Sequence, residues 1–248
     1  MKNNEQDFQH KVEALKDLPR VLIAGGAGFI GSRICKLLLQ QNCQVYCLDN
    51  LATSGKEYIK PFLKEKNFVF IKHNLTKSFK RINLPDFDYI FHLASIESYL
   101  NKEDKHLSSL QGLMTNSEGT RNLLSLCKKQ RAKFLLGSTP SVYQGTIAVK
   151  ELKNFFGKKE DGESFYSVSE AKRFSETLTF EYFKNYSLDC RIIRATDVYG
   201  PGMPLNAINI MARFFKSLKE DKVLKVPGKG EKLIFPTFID DLAYGILK

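Results

Sequence analysis

The chain has 248 residues, 43% of them hydrophobic, which suits one α/β domain or one large domain with a small appendage. Its formal net charge is +11, but no basic run reaches five residues and the lysines are scattered, so a nucleic-acid partner is not expected. No apolar run approaches the length of a membrane span, the N-terminus lacks a signal-peptide core, and none of the five cysteines forms a Cys-x-x-Cys pair. These features predict a cytoplasmic protein with reduced, buried thiols and exclude membrane proteins.

The first predicted unit is a strand followed by a glycine turn. Val21–Ala24 is a continuous apolar run, which is typical of a parallel strand buried on both faces. Gly26-x-Gly28-x-x-Gly31 fits the dinucleotide fingerprint, and Gly25-x-x-Gly28-x-x-Gly31 fits its wider-spaced variant. Glycine is needed here for the tight turn, for the approach of a pyrophosphate and for close packing of helix on strand.

The elements after the turn complete the fingerprint. A helix over residues 29–41 would present its free N–H groups and positive dipole end to the pyrophosphate. A second strand over 44–48 ends at Asp49, close to the spacing at which the fingerprint requires an acid for the ribose hydroxyls. Because a carboxylate repels a 2′-phosphate, Asp49 favours NAD over NADP. A glycine-rich turn in some other βαβ unit is the alternative, and this context disfavours it.

The rest of the chain predicts alternating strands and helices. Strands are predicted at 68–71, 88–95, 133–137, 190–194 and 222–226, and helices within 50–66 and at 112–130, 169–185, 208–219 and 240–248. Residues 154–163 are charged and predict a surface loop. The order predicts an α/β fold, a Rossmann-type doubly wound parallel sheet with a small, truncated C-terminal substrate region. The predicted domains are an N-terminal extension with an amphipathic helix (1–19), an NAD-binding Rossmann domain (20–195) and a partial substrate-binding region (196–248).

Several short motifs follow one another along the chain. They are Gly25-Gly-Ala-Gly-Phe-Ile-Gly31, Asp49-Asn50, His92-Leu-Ala-Ser95, Thr115-Asn116 before Gly119-Thr120, Ser138-Thr139 before Val142-Tyr143, Lys172-Arg-Phe-Ser-Glu176, Val198-Tyr-Gly-Pro201 and Asp240-Asp-Leu242. From about Val21 to its end, the chain thus resembles the extended short-chain dehydrogenase/reductases that modify nucleotide sugars: epimerases, 4,6-dehydratases and UDP-glucuronate decarboxylases. The resemblance implies an NAD cofactor, a nucleotide-sugar substrate and no metal. It also implies a homodimer through helices near 105–130 and 169–185.

The resemblance assigns roles to individual residues. Thr139 would polarise a sugar hydroxyl, Tyr166 would act as the base, and Lys172 would hold the nicotinamide ribose. The residues expected to line NAD are Gly25, Gly28, Phe29, Ile30, Gly31, Asp49, Asn50, Asn74, Leu75, Leu93, Ala94, Ser95 and Lys172.

The catalytic base of the family is out of register in this chain. The family motif is Tyr-x-x-x-Lys, in which residues four apart share a helix face and the lysine lowers the pKa of the phenol. The position four before Lys172 is Val168. Tyr166 lies six residues before Lys172, about 240° around an ideal helix. It could serve if residues 164–168 formed a loop that turned the ring inward.

Five further positions depart from the family pattern. Pro140 and Ser141 stand where decarboxylases and dehydratases carry acidic residues, so those reactions are not expected. Asn74 replaces an Asp near the adenine, Asp197 replaces an Asn near the sugar-linked pyrophosphate, and Ile234 lies where an Arg commonly grips that phosphate. A carboxylate at position 197 would repel a phosphate.

Two functions follow from this pattern. One is an NAD-dependent epimerase in which a hydride passes to the nicotinamide and returns on the other face of the sugar. The other is a non-catalytic, regulatory NAD-binding homologue that has lost the base, the acids and the phosphate contact. A purely structural α/β domain would leave the glycine turn and Asp49 unexplained.

Overall fold

The computed structural model describes residues 18–96, 105–143, 164–205, 210–226, 230–231 and 233–248, with side chains described for all of these except 105–109 and 164–166. The predicted N-terminal helix within 1–19 and the predicted loop at 154–163 fall almost entirely outside the described residues.

A six-stranded parallel sheet forms the centre of the molecule. Its strands are β1 (Arg20–Ala24), β2 (Gln44–Asp49), β3 (Phe68–Lys72), β4 (Tyr89–His92), β5 (Lys133–Ser138) and β6 (Cys190–Arg194). They lie side by side in the order β3-β2-β1-β4-β5-β6, and every neighbouring pair is parallel. The order reverses between β1 and β4, the switch point at which doubly wound sheets bind their ligands. The predicted Rossmann-type sheet is confirmed.

Helices cover both faces of this sheet. The helices of the described residues are α1 (Phe29–Gln40), α2 (Lys105–Met114), α3 (Thr120–Gln130), α4 (Ser164–Tyr186), α5 (Ile210–Lys219) and α6 (Ile239–Leu247). A π-helical turn over Thr115–Gly119 joins α2 to α3 without a break. Among the described residues, no helix combines the length and the apolar character that crossing a bilayer requires.

The apolar run of β1 is buried on both sides. Val21 and Ile23 belong to the core on the face covered by α1, whereas Leu22 and Ala24 belong to the core on the face covered by α3. Successive side chains of a strand point to opposite faces, so a strand between two helical layers must be apolar throughout. The cysteines at 35, 43, 47 and 127 are buried and Cys190 is half-buried, and all five thiols are free.

The C-terminal segment of the described chain is attached to this core. Two short strands, β7 (Val198–Tyr199) and β8 (Thr237–Phe238), pair in parallel, and α6 follows β8 directly. Leu242 and Ile246 of α6 lie in the core on the α1 face, and Arg33 of α1 donates a hydrogen bond from Nη2 to Asp240 Oδ2 at 2.5 Å. The domain boundaries predicted from the sequence remain predictions.

Some predicted elements were wrong. Residues 50–66 contain only a 3₁₀ turn (Lys60–Phe62) in place of the expected helix. The strand predicted at 222–226 is not formed: Val223 is 84% exposed, and none of the described strands pairs with this segment. An apolar run without a neighbouring strand leaves its backbone groups to water. Helix α4 begins at Ser164, five residues earlier than expected, and the segment 164–168 is helical.

Candidate cofactor and substrate site

The glycines of the turn after β1 have different structural roles. Gly25 has a φ of +83°, and a Cβ added there would lie 2.5 Å from the backbone nitrogen of Ala94. A Cβ at Gly31 would overlap the carbonyl oxygen of Gly25. At Gly28 the nearest atom to an added Cβ is the same carbonyl oxygen, at 3.3 Å, and nothing else lies within 4 Å. The first two glycines are therefore required by the packing of the chain, whereas Gly28 leaves space open for a ligand.

Asp49 supports the turn from the end of β2. Its Oδ2 accepts a hydrogen bond from the backbone N–H of Ala27 at 3.1 Å, and its Oδ1 accepts one from Leu51 at 2.8 Å. Burial raises the pKa of the Asp49 carboxyl, although hydrogen bonds from backbone N–H groups counteract this effect. A carboxylate has about four acceptor sites, so these two bonds leave capacity for the ribose hydroxyls. The bond to Ala27 was not predicted from the sequence.

The end of the site at which the family resemblance would place the adenine is a cavity between the carboxyl ends of β1, β2, β3 and β4, here called the adenine-end cavity. Its lining includes nine of the residues predicted to bind NAD: Gly25, Gly28, Asp49, Asn50, Asn74, Leu75, Leu93, Ala94 and Ser95. Thr115, from the π-helical turn, also lines this cavity.

A second cavity continues along the same edge of the sheet. The two cavities share Gly25, Gly28, Leu93 and Ser95, so they form one cleft across the carboxyl ends of the strands. The second cavity contains the remaining residues predicted to line NAD, Phe29, Ile30, Gly31 and Lys172, together with the predicted catalytic residue Thr139. The structure thus brings all the predicted cofactor residues into one cleft.

Lys172 is the buried cation of this second cavity. The side chain is 5% exposed, and its Nζ donates a hydrogen bond to the carbonyl oxygen of Gly137 at 2.8 Å. His92, at the end of β4, is fully buried. Burial and the nearby charge of Lys172 lower the pKa of His92 to about 3, so this histidine is neutral at pH 7. Of these two neighbouring side chains, only Lys172 is therefore positively charged at pH 7.

The helix that carries Lys172 places Val168 at the expected position of the base. Val168 and Lys172 both line the cavity and lie one helical turn apart. The loop at 164–168 that would turn the ring of Tyr166 inward is not formed, because α4 already begins at Ser164. Tyr166 lies within this helix, about 200° around the axis from Val168, and its side chain lies outside the described part of the structure.

A salt-bridge cluster next to the cavity was not predicted. Arg194, at the end of β6, donates from Nε and Nη2 to the two carboxylate oxygens of Glu176 at 3.0 and 2.6 Å, and from Nη1 to the hydroxyl of Tyr143 at 2.5 Å. Burial raises the pKa of Glu176, but the hydrogen bonds from Arg194 and Ser138 and the charges of Arg194 and Lys172 together outweigh it, so the net shift is downward. The spacing of Lys172 and Glu176, four residues apart on α4, was the signal that both side chains share one face.

The end of the cleft at which the family resemblance would place the substrate contains an unusual acid. Asp197 lines the second cavity, where it is the only acidic side chain among the described lining residues, and its φ is +33°. Val198 and Met203 line the same region, whereas Ile234 is not one of the described residues that line the cavity. A left-handed backbone at a non-glycine residue is uncommon and is enriched at functional sites.

The model of the NAD dependent epimerase/dehydratase family matches residues 21–248. The chain belongs to this family. Its cofactor is NAD, and the space left at Gly28, together with the cleft described above, fits a dinucleotide.

Two sequence relatives agree with this family assignment. UDP-glucuronic acid decarboxylase 1 of Xenopus tropicalis is 29% identical over 100% of this chain and 58% of its own length. UDP-glucuronic acid decarboxylase 4 of Arabidopsis thaliana is 30% identical over 92% of this chain and 50% of its own. The chain therefore spans between half and three fifths of the length of these two relatives.

Two solved structures show the same fold. Pal from Bacillus thuringiensis has a TM-score of 0.73 and 26% identity, with 92% of this chain and 72% of that chain covered. The UDP-glucose 4-epimerase of Thermotoga maritima, solved with UDP-glucose, has a TM-score of 0.73 and 23% identity, again with 92% of this chain and 72% of that chain covered. At that identity the epimerase supports the fold alone.

Proposed function

We propose that the protein is an NAD-dependent enzyme that modifies a nucleotide sugar, by epimerisation through transient hydride transfer. The observation that carries this proposal is the position of Lys172, a buried cation held by Gly137 in the same cavity as Thr139 and the glycine turn. An ammonium is expensive to bury, and its place in a cofactor cleft indicates a functional role. When bound, NAD supplies a nicotinamide ring that can take up a hydride and give it back.

Three residues of the chain would then each have one role in the reaction. The Thr139 hydroxyl would polarise the sugar hydroxyl that is oxidised, and Tyr166 would remove its proton. Lys172 would fix the nicotinamide ribose. These roles follow the family resemblance, and what supports them here is that Thr139 and Lys172 line one cavity.

The choice of reaction rests on residues next to Thr139. The relatives named above are UDP-glucuronic acid decarboxylases, which supports a nucleotide sugar as the substrate class. Pro140 and Ser141 carry no group that could serve as a carboxylic acid or base for dehydration or decarboxylation. Epimerisation needs only a proton acceptor and a reversible hydride transfer, so it is the reaction that the remaining residues support best.

A second candidate function is favoured by one observation. Val168, an aliphatic residue, occupies the cavity wall one turn before Lys172, and the helical segment 164–168 does not form the loop that would bring Tyr166 into that place. A protein that binds NAD without turning over a sugar would have this arrangement. In that case the role would be non-enzymatic or regulatory.

Three variants separate the two candidates. NAD-loaded wild type, Tyr166→Phe and Val168→Tyr are incubated with UDP-glucose and UDP-galactose, and the sugars are followed by proton NMR. General-base catalysis contributes about 10²–10⁴-fold, so loss of activity by that factor in Tyr166→Phe supports the enzyme with Tyr166 as base. Val168→Tyr, which rebuilds the Tyr-x-x-x-Lys register, would then add little.

Other results assign the second function or exclude Tyr166 as the base. Wild type and Tyr166→Phe that are equally inert indicate the non-catalytic protein. Turnover that survives Tyr166→Phe contradicts the non-catalytic function and the role of Tyr166 as the base, because the proton would leave by another group. Tyr186→Phe is the matched control, since Tyr186 lies on the same helix near its far end and is half exposed.

We further propose a homodimer, with helices α2 and α4 as its interface, and a cytoplasmic location. The two helices pack together, and each exposes large apolar side chains: Leu110 and Met114 on α2, and Phe174 on α4. Neighbouring exposed apolar side chains are typical of interaction surfaces.

A further inference from the structure

Asn74 holds its carboxamide in one orientation. Its Oδ1 accepts hydrogen bonds from the backbone N–H and from the hydroxyl of Thr76, both at 3.0 Å. Because a backbone N–H can only donate, the atom that faces it must be the oxygen, and the oxygen and nitrogen of the amide cannot be exchanged. Asn74 lines the adenine-end cavity, so the group that this side chain can offer to a ligand there is its NH₂.

The position of Asn74 determines which part of the cofactor would meet it. The pyrophosphate site follows β1, and the ribose acceptor Asp49 ends β2, the next strand in the sheet. Asn74 comes two residues after Lys72, the end of β3, which is the strand beyond. A purine attached to a ribose at Asp49 would therefore point its far edge toward Asn74. The substituent at position 6 projects farthest from the glycosidic nitrogen, and it is a donor in adenine and an acceptor in a 6-oxo purine.

We propose that Asn74 contacts the purine of the cofactor as a hydrogen-bond donor, so that this site binds a 6-oxo purine dinucleotide at least as well as NAD. An aspartate at the same position would act in the opposite way. One of its oxygens would keep the two bonds from Thr76, and the other would accept a bond from the 6-amino group. Asn74 thus sets the base selectivity of the site, whether or not the protein turns over a sugar.

The test compares NAD with nicotinamide hypoxanthine dinucleotide, which carries oxygen in place of the 6-amino group. Calorimetry gives the dissociation constants of both for wild type, Asn74→Asp and Thr76→Val. We expect wild type to bind the hypoxanthine dinucleotide at least as tightly as NAD. Asn74→Asp should change the ratio of the two dissociation constants about tenfold in favour of NAD, because the hydrogen-bonding group that faces position 6 becomes an acceptor. Thr76→Val is the matched control: it removes one of the two bonds to Oδ1, but the backbone N–H still fixes the amide, so the ratio should equal that of wild type.

Two outcomes would overturn the proposal. Wild type that binds NAD tenfold or more tightly than the hypoxanthine dinucleotide contradicts it directly. An unchanged ratio in a folded Asn74→Asp variant also contradicts it. The wild-type ratio decides the question alone if that variant does not fold, as judged by its circular dichroism.

Discussion

Two glycines of the turn after β1 have different roles, one in folding and the other in ligand binding. Gly31 is packed against the carbonyl oxygen of Gly25, whereas a side chain at Gly28 would enter the open cleft. The same residue type therefore serves the fold at one position and the ligand at the other. The fingerprint in the sequence predicts both glycines equally, and only the three-dimensional contacts distinguish their roles.

Substitution of these glycines should show the difference. Gly28→Val should keep its folded structure, because the backbone at Gly28 is extended (φ −81°, ψ 174°), but should lose NAD affinity by about 10²-fold or more since the side chain occupies the space of the pyrophosphate. Gly31→Ala should lose about 1–3 kcal/mol of stability through overpacking. Calorimetry with NAD and urea unfolding measure the two effects. Unchanged NAD affinity in Gly28→Val would show that the phosphate binds elsewhere.

Other residue-level features were not accessible from the sequence. The spacing of Asp49 predicts a ribose acceptor, but its bond to the N–H of Ala27 depends on how the turn folds back over β2. The orientation of Asn74 depends on Thr76. Such bonds follow from local backbone geometry, which a pattern of residue types does not specify.

Among the secondary-structure elements, the central strands were predicted most reliably, from their apolar runs. The boundaries of the central strands match the prediction within about three residues, and most helices were placed correctly. The π-helical turn at Thr115–Gly119 was not predicted. There the carbonyl oxygen of Asn116 accepts bonds from the hydroxyls of Thr120 and of Ser175 on α4, each at 2.5 Å. A contact between helices thus contributes to a local structure that helical periodicity does not reveal.

The exposed face of α2 and α4 makes a prediction about assembly. Leu110 is 56% exposed and Phe174 is 52% exposed, and burying such side chains would favour a dimer. The double variant Leu110→Glu, Phe174→Glu should be a monomer by sedimentation velocity at concentrations where wild type is a dimer. Leu218→Glu on α5, at a site that is 61% exposed, is the control and should leave the dimer intact. A monomeric wild type, or a double variant that still dimerises, would contradict the proposed interface.

The whole molecule places its site where a doubly wound sheet reverses its strand order. Glycines after β1, Asp49 at the end of β2, and Thr139 and Lys172 beside β5 meet along one edge, although they are far apart in the sequence. Because the carboxyl ends of parallel strands share an edge, the order of elements was enough to predict this cleft. The catalytic end could not be predicted in the same way, since it depends on where α4 begins.

Cofactor selectivity tests the central claim, that this cleft is built for NAD. Calorimetry of purified wild type and Asp49→Ala against NAD and NADP measures it directly. Because the carboxylate of Asp49 repels a 2′-phosphate and accepts bonds from ribose hydroxyls, wild type should bind NAD at least about tenfold more tightly than NADP, and Asp49→Ala should lose most of that preference. Equal or tighter binding of NADP by wild type would contradict the assignment of Asp49 and of the cleft.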